Sequence, residues 1–176
     1  MQREFVDTRT TPPGVQQRIP ITLVEEHGSS AVPDTFTPPD WAALRYHQCS
    51  HCPLDPDEHP YCPIARSLAY LLPDSALGDS FQAVNLDVET PQRRYQQDTT
   101  LQRALSSLFG LICALSDCPH TRFLRPMAHF HLPLSSDTET LVRTASLYLL
   151  QRYLLNRKQP EQTISLNGLN DRYNAL

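Results

Sequence analysis

Residues 81–115 read FQAVNLDVETPQRRYQQDTTLQRALSSLFGLICAL, and the spacing of their apolar positions changes once. Over residues 81–90 the period is two, with Val84, Leu86 and Val88 on one face, as a half-buried strand requires. Pro91 ends that strand, and residues 93–98 read as the returning strand of a hairpin. At Thr99 or Thr100, both good helix caps, the period becomes helical and holds to Leu115. Leu101, Ala104, Leu105, Leu108, Phe109, Leu111, Ile112 and Leu115 cover most of the circumference, which predicts a central, buried helix.

Toward the N-terminus a second hairpin is expected. Residues 3–10 lead through a Pro12-Pro13-Gly14 turn to residues 18–25, where Ile19, Ile21 and Leu23 share a face. Pro20 has no N–H to give to a ladder, so this strand belongs at an edge. The two hairpins together suggest a four-stranded antiparallel sheet of undetermined order. Residues 27–39, rich in Gly, Ser and Pro, read as a connection. Residues 41–46 then suggest one helical turn. After Pro63, residues 64–72 have helical spacing and stop before Pro73, with Pro63 in the first turn and Cys62 at the N-terminus.

Beyond the buried helix, Asp117-Cys118-Pro119-His120 is a break, and residues 120–129 suggest a shorter helix interrupted at Pro126. Ser136 or Asp137 caps the last long helix, with Glu139 early in it and Arg157-Lys158 at its C-terminal end. Its expected core face is Leu141, Val142, Ala145, Tyr148, Leu149, Tyr153 and Leu154. A final short helix is expected around residues 168–176. Strands first and helices after make the class α+β: N-terminal antiparallel hairpins, then a helical half, with an irregular metal-binding Cys/His loop between. At 176 residues, one domain is expected, divided into an edge hairpin (1–27), the Cys/His loop (41–63), a helix plus hairpin (64–98) and the helical half (99–176).

That loop is the most informative stretch for function. Residues 47–63, HQCSHCPLDPDEHPYCP, hold Cys49, Cys52, Cys62, His47, His51 and His59 in a segment too rich in Pro and Asp for regular structure. Two thiolates two residues apart reach one ion from a tight turn, and a third arrives on a short return. Cys118, in the break after the buried helix, would complete four ligands: Cys49, Cys52, Cys62 and Cys118, with His120 as the alternate. Structural zinc fits such a set in a reducing compartment. The same thiolates could hold an iron–sulfur cluster, since Cys52, Cys62 and Cys118 are each followed by proline, but the spacing is not a ferredoxin run. Cys113, between Ile112 and Ala114, reads as a small buried hydrophobe.

A less favoured arrangement is a metalloenzyme using His120, His129 and His131 with an open coordination position. Hydrogen-bonded histidines at a helix end are the simpler reading. Asp55-Pro56-Asp57-Glu58 lacks the spacing and glycine of a calcium loop and reads as a solvated turn. Ser106-Ser107 lies in a helix without the glycines of a nucleophile elbow, and no phosphate-cradling glycine loop is present. The sequence identifies no substrate and leans away from an enzyme.

A formal charge of −4 argues against a general nucleic-acid or anionic-membrane binder. No stretch has signal-peptide or bilayer-spanning character, so a cytoplasmic location with reduced thiols is expected; disulfides would need an export route. The expected role is a binding or scaffold module whose partner is another protein.

The set His47-Gln48-Cys49, Cys52-Pro53-Leu54, Cys62-Pro63, Glu89-Thr90-Pro91, Leu105-Ser106-Ser107-Leu108, Cys118-Pro119-His120, Leu124-Arg125-Pro126-Met127 and Phe130-His131-Leu132-Pro133 resembles an uncharacterised bacterial domain family of unknown function. The matching stretches span roughly residues 41–155. The resemblance implies a cytosolic bacterial protein of one domain, and it implies no activity and no assigned metal.

Overall fold

The computed structural model describes residues 2–10, 18–22, 32–72, 78–90, 92–158 and 165–174. The fold is α+β. Strands β1 (Gln2–Thr10), β2 (Arg18–Thr22), β3 (Ala83–Glu89) and β4 (Arg94–Thr100) form one antiparallel sheet in the order β2-β1-β3-β4. The order that the sequence leaves open is thereby decided: β1 and β3 join the two hairpins, with a register shift between Val6 and Thr8. Pro20 sits in β2, at an edge, where a missing donor breaks no ladder between two neighbours. The Pro12-Pro13-Gly14 turn, the end of that strand at residues 23–25 and the start of the following connection lie outside the described residues.

The central strand β3 shows why alternation was legible in the sequence. Val84, Leu86 and Val88 are buried on the core face. On the other face, Asn85 Nδ2 donates to Asp98 Oδ1 (2.7 Å) and Gln96 Nε2 donates to Asn85 Oδ1 (3.1 Å). Asp87 is buried on this polar side and accepts two N–H groups from the fork of Arg94 on β4, one of them Nε at 2.9 Å. The strand is apolar on one side and satisfied by hydrogen bonds on the other.

Helix α2 (Leu101–Leu115) follows β4 without a loop. Thr100 Oγ1 accepts the Arg103 N–H at 3.5 Å, so the cap stands where the spacing placed it. Its buried face (Leu101, Ala104, Leu108, Leu111, Ile112, Ala114, Leu115) packs on Val84, Leu86 and Val88, and with Leu71 and Ala128 these form the core. The expectation of burial all round is corrected: Phe109 is 47% exposed, and Gln102, Arg103, Ser106 and Gly110 are also exposed. Only one side of the helix meets the sheet, so the apolar surplus faces outward.

Helix α1 (Pro63–Leu71) begins with Pro63 and has Cys62 as its N-cap. Helix α3 (Arg125–His129) follows a 3-10 turn at Arg122–Leu124. Pro126 lies in the first turn of α3 instead of interrupting a helix, because a residue without an N–H costs nothing there. Residues 41–46 hold a 3-10 turn (Asp40–Ala42) and not a full helical turn. Helix α4 (Asp137–Lys158) opens on a reciprocal cap. Ser136 Oγ accepts the Glu139 N–H (3.3 Å), while the Glu139 carboxylate accepts the Ser136 N–H (2.8 Å) and hydroxyl (2.9 Å).

The expected core face of α4 is corrected as well. Thr144 and Tyr148 are its buried residues, whereas Leu141 is 68% and Val142 57% exposed, and Tyr153 and Leu154 are also exposed. Helix α5 (Asn167–Asn174) packs Leu169 inward, and Tyr173 stacks edge-on against Phe123, with ring centroids 5.3 Å apart.

Candidate functional site

The Cys/His loop is irregular but not unsupported. At its base, Leu44 N–H donates to the Pro60 carbonyl (2.9 Å) and Cys62 N–H to the Ala42 carbonyl (3.0 Å), around an antiparallel bridge between Ala43 and Tyr61. Ala42 and Leu44 are buried beneath it. Inside the loop, Cys52 N–H donates to the Cys49 carbonyl at 3.0 Å, which makes Cys49–Cys52 the tight turn that two-residue ligand spacing needs. The acidic run is a turn: Asp55 Oδ1 accepts the Asp57 N–H at 2.9 Å, the Asp55 carbonyl accepts from Glu58 and His59, and Asp57 pairs with Arg45.

The second half of the site is the turn after α2, which is densely hydrogen-bonded. Helix C-terminal carbonyls lack intrahelical partners. Here the Cys113 carbonyl accepts the hydroxyls of Ser116 (3.0 Å) and Thr121 (2.7 Å), and the Cys118 carbonyl accepts the N–H groups of Thr121 and Arg122. Arg125 pairs with Asp117 at 2.6 Å. Cys118 and His120 are thus held on a braced turn.

These two segments, separated by more than fifty residues of chain, meet. The His51 and His120 rings pack edge-on with centroids 4.5 Å apart, and His120 Nε2 lies 2.8 Å from the His51 carbonyl oxygen. A carbonyl only accepts, so Nε2 carries a proton, and in the neutral ring the lone pair is then on Nδ1. A hydrogen bond that fixes the tautomer in this way is how ligating imidazoles are oriented. Burial pushes the Cys113 thiol up to about 11, and the Cys118 and Cys62 thiols add to the shift, so each of those two lies within electrostatic reach of Cys113. Cys49 is exposed; Cys52, Cys62, Cys113 and Cys118 are half-buried, and all five are free thiols.

Among the described residues, no three His, Cys, Asp or Glu side chains are gathered closely enough to hold a metal ion. The chemistry of the set, thiolates and a tautomer-fixed imidazole, suits a borderline ion such as zinc. Cys113, with its raised pKa, fits the small-hydrophobe reading. His120 belongs with His51, whereas His129 and His131 line a separate cavity of about 190 Å³ with Arg93, Tyr95 and Gln92. His51 is the residue whose role was missed: nothing in a linear sequence says which histidine of the loop faces the distant turn.

Residues 10–176 match a domain of unknown function, DUF6901. The chain belongs to that family. No curated protein and no solved structure matches it. In the DUF6901 chain no helix among the described residues is long and apolar enough to cross a membrane.

Proposed function

We propose that this DUF6901 chain is a cytoplasmic protein-binding module whose Cys/His loop is fastened to the helical half by zinc. The ligands are Cys49, Cys52, Cys62 and Cys118, with His120 as the alternate. One observation supports the reading: the loop and the post-α2 turn meet through His51 and His120, which puts the segments that carry Cys49, Cys52 and Cys118 in contact, although among the described residues no three candidate ligands are gathered at one point. Zinc would supply a cross-link, and the chain's own part is to orient the donors. The Cys49–Cys52 turn sets a two-residue bite, and the His51 carbonyl fixes the His120 tautomer. A closed site of this kind organises structure and leaves no position for substrate. Exposed Leu141, Val142, Leu150 and Leu154 on α4 support a protein partner over a nucleic acid.

The test is elemental analysis with a visible spectrum on protein purified without oxygen, for the native chain, Cys49→Ser and Cys113→Ser. One zinc per chain and no visible absorbance are expected, with metal lost in Cys49→Ser and retained in Cys113→Ser. Iron with inorganic sulfide and a brown colour would replace zinc by a cluster on the same thiolates. Equal metal loss in both variants would overturn the ligand assignment.

A further inference from the structure

A cavity of about 450 Å³ opens between α2, α3, the Leu132–Ser135 segment and the first half of α4, with Tyr173 of α5 on its wall, and no cysteine lines it. That volume lies within the range of small-molecule sites, roughly 300–1,000 Å³. Its lining is divided. Ala114, Leu124, Met127 and Ala128 form an apolar part. Facing them is a polar part built on Ser107, whose Oγ lies 3.4 Å from His131 Nε2 and accepts the Leu134 N–H at 3.3 Å. Leu134 itself has φ 55°, a left-handed conformation that a leucine adopts only when its surroundings hold it there, and such strain gathers at ligand clamps.

Two guanidinium groups, Arg103 and Arg143, line the same cavity against one carboxylate, Asp137, which is exposed. Among the described residues Arg143 Nε is buried with no hydrogen-bond partner. Burial holds the Arg143 guanidinium below its ordinary range, and Glu139, which opposes that shift, is occupied by the Ser136 cap. A half-buried cation whose Nε donor is buried and unfilled is costly to keep, and native structures keep one where a partner completes it.

We propose that this cavity binds a small organic anion, a carboxylate or phosphate monoester on an apolar body, with Arg143 and Arg103 on the anionic group and Leu124 and Met127 against the body. The site is separate from the cysteine loop, and it stands or falls independently of zinc.

The test is calorimetric titration of the full chain with phenyl phosphate, benzoate, inorganic phosphate and benzyl alcohol. Phenyl phosphate or benzoate should saturate one site per chain, at least tenfold tighter than benzyl alcohol or inorganic phosphate. Arg143→Met should weaken that binding tenfold or more, while the ligand-free variant melts at or above the native temperature. Arg143→Lys, which keeps the charge but not the Nε donor, should bind several-fold more weakly. Benzyl alcohol or inorganic phosphate binding as tightly would overturn an organic-anion site. So would native affinity in Arg143→Met, no saturable binding by either organic anion, or a ligand-free Arg143→Met that is unfolded, which would make the arginine structural.

Discussion

Glu139 illustrates how much a single residue's surroundings settle. Its carboxylate accepts the Ser136 backbone N–H and hydroxyl, and these two bonds, the backbone one first, hold its pKa below the ordinary value of 4.5. An acid whose pKa is lower in the folded chain stabilises it above the unfolded value, and that contribution disappears as pH falls through the folded value. Glu139→Gln should therefore lower the urea midpoint at pH 7, and the deficit should close well below pH 4.5. A deficit of equal size at both ends would mean that the charge is not what the cap uses. The same residue also shows what a sequence discloses: Ser136 and Glu139 at i and i+3 before an apolar run are a local signature, readable without a fold. Arg143, one turn further on, carries no such signal. Its unfilled Nε donor depends on which groups of α2 and α3 line the same cavity, and no local pattern encodes that.

At the scale of elements, period was a better guide to type than to facing. The alternation in β3 and the helical spacing of α2 were both legible, and so was the cap at Thr100 between them. The side of α2 that would be buried was not, because apolar residues at most of its 15 positions leave several faces equivalent until a partner sheet selects one. The difference has a measurable form. Ile112 is 1% exposed in the core, so Ile112→Ala should cost about 2–5 kcal/mol in urea unfolding. Phe109→Ala, on the outward face, should stay within about 0.5 kcal/mol of the native chain. A loss at Phe109 as large as at Ile112 would restore the central-helix reading. Helix α4 repeats the lesson: its 22 residues carry apolar side chains all round, and the elements that reach it cover only the stripe containing Thr144 and Tyr148.

For the whole molecule, the proposed zinc cross-link makes stability depend on metal supply. Structural zinc sites contribute free energy on the order of 10 kcal/mol where the unfolded chain has no site of its own. On the zinc reading, overnight chelation should lower the melting temperature and readdition of zinc should restore it, with the midpoint rising as free zinc rises. A melting temperature indifferent to both would show that the backbone bonds at Ala42, Leu44, Pro60 and Cys62 hold the loop unaided. By itself the sequence determined the α+β class, the types of the four strands and of α1, α2, α4 and α5, the caps at Thr100 and Ser136, the edge position of β2 and the density of soft ligands in residues 47–63, because each rests on interactions among residues a few positions apart. The tertiary structure decided the strand order β2-β1-β3-β4, the exposed faces of α2 and α4, the meeting of His51 with His120, and the cavity around Arg143. Each of those joins segments distant in the chain, and their contacts are set by how whole faces pack, which no local pattern records.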